Sequence, residues 1–182
     1  MLPGFGKYPF GYQPFGQPQK PRLFISYHHA DDQRWCDAFR QYFGNTYDLF
    51  TDNSLLRKIN SDDAEYIDRK VRDEYITGSS ITVVLCGPNT WKRKFVDWEI
   101  HATLDKQHAL LGIILPHNAP NSTGNYVVPA RLHDNIQSGY AHWIKWTTDP
   151  NEIAKSITQS KDMAKEISKI ENSREQMKRN LP

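Results

Sequence analysis

The stretch TVVLCGPNTWKRKFVDWEI, residues 82–100, changes character in its middle. Its first part belongs to an apolar, β-branched run, Ile81 to Cys86, which reads as a buried strand. Thr90 to Lys94 then leads into a helix expected around Phe95 to Lys106. Upstream, RLFISY (residues 22–27) is a second short β-branched and aromatic run, and Asp31-Asp32 is placed to cap a helix. Trp35, Ala38, Phe39 and Tyr42 recur at helical spacing and are expected to cover one face of a sheet, with Gly44 as the stop.

Working outward, Tyr47 to Phe50 is a further strand candidate, followed by a polar loop from Thr51 to Asn60 and a helix from about Ser61 to Ile76. That helix would bury Ala64, Ile67, Val71 and Tyr75 and end at Gly78. Ala109 to Leu115 and Ala141 to Trp146 complete the strands, with a short helix around Arg131 to Gln137 between them. After Asp149-Pro150 a last helix is expected to carry Ile153, Ile157, Ala164, Ile167 and Ile170 on one side and to fray beyond Asn172. Alternating strands and helices imply an α/β domain over residues 21–148. Its five strands would be parallel and joined by right-handed crossovers, with helices on both faces. Residues 149–182 form a C-terminal helix and frayed tail in this reading.

Residues 1–20 place a proline or glycine every few positions among five aromatics, Phe5, Tyr8, Phe10, Tyr12 and Phe15. Such a segment supports neither helix nor ladder pairing, which leaves an unpacked leader or an adhesive arm open. It lacks the basic start and continuous apolar core of a secretory signal, so the expected compartment is the cytoplasm. There Asn121-Ser122-Thr123 is only a polar loop. The longest apolar runs, Ile81 to Cys86 and Ala109 to Pro116, fall far short of the ~18 residues of a membrane span.

The chain has 182 residues, enough for one domain with appendages, and its 23 basic and 21 acidic side chains leave a formal charge of +2. No strong field points to nucleic acid or an anionic membrane. Cys36 and Cys86 lie in a helix and a buried strand without metal-ligand spacing, and read as small core residues; no metal is expected. Neither GxGxxG nor GxxxxGK[ST] occurs, and Ser26 is not in a GxSxG elbow, which disfavours Rossmann and P-loop nucleotide sites and a hydrolase triad.

Three features remain. His28-His29 follows the first strand, where open α/β sheets place ligands, although a solvated loop pair explains them equally. Lys92, Arg93 and Lys94 precede the helix, offering a possible phosphate contact or an ordinary charged surface. Glu99 lies one turn after Phe95, so a carboxylate and a ring project from one helix face, an arrangement suited to sugar or nicotinamide recognition. By pattern alone, an exposed helix glutamate is the commoner role.

FISYHHADD (residues 24–32) together with TVVLCGPNTWKRKFVDWEI resembles the TIR superfamily, and more narrowly the TIR-like proteins of bacterial Thoeris anti-phage defence. The resemblance covers roughly Arg22 to Trp146. It implies a flavodoxin-like fold and, as in many members, cleavage of NAD between nicotinamide and ribose. By position, Glu99 matches the family's catalytic glutamate, and Phe95 stands where relatives often have tryptophan beside the substrate. Tyr27, His28 and His29 match the first loop, and Asp52 lies near the start of the family's mobile loop. NAD would be a substrate, with no cofactor, and the product a cyclic ADP-ribose-type signal for a separate effector, with a phage-derived trigger. Self-assembly through TIR–TIR contacts is also implied. A non-catalytic adaptor module is the alternative, since many TIR domains only recruit partners. Phe95 for tryptophan, Val96 at a frequent cysteine, and histidines where some relatives carry arginines are departures that bear on substrate affinity and product. A phosphate-accepting receiver domain is disfavoured for want of an acidic cluster and strand-end aspartate in the expected arrangement.

Overall fold

A computed structural model describes residues 20–51 and 76–182. The expectations for the N-terminal leader, for the helix from Ser61 to Ile76 and for Asp52 lie outside the described residues. Five strands, β1 (Arg22–Tyr27), β2 (Asp48–Phe50), β3 (Ile81–Cys86), β4 (Ala109–Ile114) and β5 (His142–Lys145), form one sheet in the order β2-β1-β3-β4-β5. Every pairing is parallel, with Ser26 opposite Val84 and Val84 opposite Gly112 across the centre. This is the flavodoxin-like order, as the alternation of strands and helices implies.

Four α-helices are described: α1 (His29–Phe43), α2 (Lys94–Asp105), α3 (Ala130–Ser138) and α4 (Pro150–Met163). Two-residue alternation along the strands sorts them into layers. Leu23, Ile25, Ile81, Val83, Leu85, Leu111 and Ile113 pack with Cys36, Phe39 and Phe43 of α1 and Ile153 and Ile157 of α4. The opposite face, with Val84, Cys86, Leu110 and Ile114, packs against Val96, Ile100 and Leu104 of α2 and Leu132 of α3. Burying each such aliphatic side chain contributes about 1.5–3 kcal/mol, and this drives the sandwich together. Cys36 and Cys86 are both buried and free, as small core residues.

Two expected details differ. Helix α1 starts at His29, with extended His28 as its cap residue, so Asp31 and Asp32 lie inside the first turn rather than capping it. Its buried stripe is Asp32, Cys36, Phe39 and Phe43, whereas Tyr42 is 51% exposed. Small Cys36 lets the helix approach the sheet, and Phe43 takes the inward position expected of Tyr42. At the other end of the chain, Asp149 caps α4 through Asn151 N–H at 2.9 Å, with Pro150 in the first turn, as its sequence suggests.

The larger correction is C-terminal. Helix α4 ends at Met163, and Ile167 is 50% exposed in a single 3-10 turn. The isoleucines do not share a face: Ile153 and Ile157 pack with α1, while Ile170 packs with the α2–α3 cluster. The chain passes from one layer to the other, and the segment beyond Asn172 is not frayed. It forms a strap along α2 and α3. Arg131, wholly buried in α3, makes a two-toothed ion pair with Asp97 of α2 (Nε–Oδ1 3.0 Å, Nη2–Oδ2 3.3 Å). The remaining valences serve the strap: Arg131 Nη1 donates to Asn172 Oδ1 at 2.9 Å, and Met177 N–H donates to Asp97 Oδ2 at 2.9 Å. Trp98 Nε1 adds a bond to the Met177 carbonyl at 2.8 Å.

A buried ion pair repays its desolvation only when fully hydrogen-bonded, and removing one partner leaves a charge stranded. Asp97→Ala should therefore cost about 3–5 kcal/mol in urea unfolding and make the strap susceptible to limited proteolysis. An unchanged midpoint would mean that the pair contributes little.

Candidate active site at the sheet's switch point

The connection after β1 goes to one face of the sheet and that after β3 to the other, so a crevice opens between their carboxyl ends. A cleft of about 580 Å³ occupies it, lined by Tyr27, His28, His29, Ala30, Gln33, Arg93, Phe95, Val96, Glu99 and Asn180. That volume lies in the ordinary range for small-molecule sites.

Glu99 is 3% exposed. It is not the solvent-facing helix glutamate that pattern alone favours, and it opens onto the cleft. Phe95, one turn earlier, opens onto the same cleft and packs edge-on against Trp98 at 5.4 Å. Tyr27 ends β1 with its hydroxyl donating to Gln33 Oε1 at 2.7 Å, and its ring lies 4.2 Å from that of His29. Both histidines line the cleft, since the chain turns from strand to helix between them instead of staying extended. His28 Nδ1 is 3.0 Å from Asp31 Oδ2, and Asn89 Nδ2 donates to the same oxygen at 2.9 Å.

The basic run divides. Arg93 lines the cleft, and its Nε is buried without a hydrogen-bond partner among the described residues. Lys92 does not line it: its ammonium lies 5.4 Å from the Trp91 ring centre, and its carbonyl accepts Leu181 N–H at 2.9 Å.

Behind the cleft sits a residue whose role the sequence did not disclose. Asp32 is wholly buried; it accepts the Thr90 hydroxyl at 2.9 Å and engages His117 Nε2 at 2.9 Å. Thr90 Oγ1 in turn accepts Gly87 N–H at 2.8 Å. One carboxylate thus connects the first turn of α1 with the segments after β3 and β4. Burial pushes the Asp32 carboxyl above its ordinary range, against the opposing pull of Thr90 and His117. The nearest sequence signal was the Asp31-Asp32 pair, which pattern assigns to a local cap. Asn180, 81 residues beyond Glu99 in the chain, carried no signal at all.

Residues 24–120 match the family described as Thoeris protein ThsB, TIR-like domain. The chain belongs to this Thoeris TIR-like family. The matched span runs from β1 past β4 and contains every cleft residue except Asn180. Among solved structures, the TIR domains of the activated Roq1 resistosome directly recognizing the pathogen effector XopQ align at 12% identity. That alignment covers 81% of this chain and 85% of that chain, with a TM-score of 0.40. No curated protein matched the Thoeris TIR-like chain. No described helix is long and apolar enough to cross a membrane.

Two measurements probe the cleft's support. A Cβ on Gly87 would lie 2.7 Å from the carboxyl carbon of Asp32. Gly87→Ala should cost about 1–3 kcal/mol by forcing that pair apart, read as a lowered thermal midpoint. The second concerns acid. His28, His108 and His142 are all held below the ordinary histidine pKa, chiefly by burial, and for His28 by Arg93 as well. Unfolding releases each to titrate near 6.5, so the unfolded chain takes up protons that the folded chain refuses. Their contribution is complete above that value and is lost as pH falls through the lowered folded pKa. Asp32, raised above 3.8 by burial, opposes the trend, since the folded chain holds its proton more tightly than the unfolded one. Urea midpoints should decline from pH 7.5 to about 5.5, and less steeply in His28→Gln.

Proposed function

We propose that this Thoeris TIR-like protein cleaves NAD at the bond between nicotinamide and ribose, with Glu99 as the catalytic carboxylate. The observation that carries the reading is the placement of Glu99. It is a nearly buried carboxylate opening onto a cleft together with Phe95 and with Arg93, whose Nε has no partner among the described residues. NAD combines an aromatic cation, ribose hydroxyls and a pyrophosphate. A ring, an acceptor and a cation answer these in turn.

In this mechanism Phe95 and Tyr27 bear on the rings, Glu99 accepts from the ribose hydroxyls, and Arg93 meets the pyrophosphate as a charge-assisted donor. His28 and His29 wall the entrance, and Asp52 is retained only as the family resemblance places it. Breaking the glycosidic bond develops positive charge on the sugar, and a preorganised carboxylate in a poorly hydrated site stabilises it. Nicotinamide is cationic in NAD and leaves neutral, so no general acid is required. Attack by water gives ADP-ribose; attack by a nucleophile of the same molecule closes a cyclic isomer. We take the cyclic product as the signal for a separate effector, released after a phage-derived trigger and self-assembly of the chain in the cytoplasm.

Glu99→Gln keeps the side chain's shape and removes its charge. It should lower nicotinamide release by at least about 100-fold with an unchanged unfolding midpoint. Arg93→Ala should raise the KM for NAD about tenfold and leave kcat nearly intact. Wild-type protein that releases no nicotinamide when clustered or taken from infected cells would favour the adaptor reading instead.

A further inference from the structure

The first residues of α2 carry the groups that face the cleft, yet this helix has no cap of its own. Arg93, at the cap position, makes no side-chain bond to the helix amides. The acceptor comes from the far end of the chain: Asn180 Oδ1 receives the Lys94 amide at 2.9 Å, and Leu181 N–H bonds the Lys92 carbonyl at 2.9 Å. Asn180 also lines the cleft with Phe95 and Glu99. The strap's anchorage is uneven. Its middle is held by the buried Asp97–Arg131 pair and by the Trp98–Met177 bond, and its tip by the two surface bonds just named.

We infer that Asn180 is a positioning residue for the cleft, capping α2 in trans and so fixing the helix turn that presents Phe95 and, one turn on, Glu99. A cap on the Lys94 amide satisfies a donor that otherwise faces water and suppresses fraying of the first turn. Because the middle of the strap is separately anchored, the tip can be altered without releasing the rest. The activity arm of the test rests on the reading of the cleft as an NAD-cleaving site; the structural arm does not.

The experiment compares full-length wild type, Asn180→Ala and Asn180→Asp by amide hydrogen exchange and by steady-state NAD cleavage with kcat and KM resolved. Alanine removes the acceptor, so exchange at Lys94 should accelerate about fivefold, the scale of a lost cap. The kcat should fall severalfold, while the folding constant read from the urea midpoint should drop by no more than about that same fivefold. Aspartate keeps the acceptor and suits a helix N-terminus, so it should restore slow exchange and kcat, its added charge acting on KM alone. Unchanged exchange in Asn180→Ala overturns the inference. So does aspartate that restores exchange without kcat, which would make the side-chain amide a ligand contact instead. If wild type turns over no NAD, that outcome counts against the proposed reaction, and exchange in the two variants alone decides the inference.

Discussion

The buried Asp32 carboxylate is the tie on which the upper rim of the sheet depends. Parallel strands deliver their carboxyl ends to one edge, but nothing in strand pairing fixes the loops that leave it. Here one side chain at the start of α1 holds Thr90 after β3 and His117 after β4. Gly87 leaves the space that lets it do so. A negative charge in a helix's first turn is favoured by the dipole, which helps to offset its removal from water. The stacking of Trp35 on His117, 10° from coplanar, covers the same tie from outside.

Helix α2 divides its labour by angle. Asp97 and Glu99 are two residues apart and so lie on roughly opposite sides. Asp97 meets Arg131 and the strap, and Glu99 meets the cleft. The Thr82–Thr103 hydroxyl pair, at 2.7 Å, fastens the same helix to the sheet. The carboxylate to which the proposed reaction assigns the chemistry is therefore carried on an element held from three directions.

Local patterns made most of this fold legible. β1 and β3 are read to the residue, because a run such as Ile81 to Cys86 buries both faces and has only one good solution. Helix α3, expected around Arg131 to Gln137, runs Ala130–Ser138; its stop at Gly139, with φ of 81°, is read only from the structure. Glu99 and Phe95 are singled out by their spacing and the family resemblance together, and both line the cleft. What pattern missed was tertiary. Asp32 looked like a cap because its partners lie 58 and 85 residues away. The isoleucines after Ile157 looked like one continuing stripe, and periodicity cannot register a chain that changes layers. Lys92 and Arg93 were equivalent in sequence, and only the turn after β3 separates them.

The strap has a bearing on how the protein can be joined to other things. Asn180 lines the cleft and Leu181 bonds Lys92 just outside it, whereas Lys20 precedes the amino end of β1. An affinity tag, fluorophore or fusion domain attached after Pro182 would begin two residues from Asn180 and so compete for the space around it.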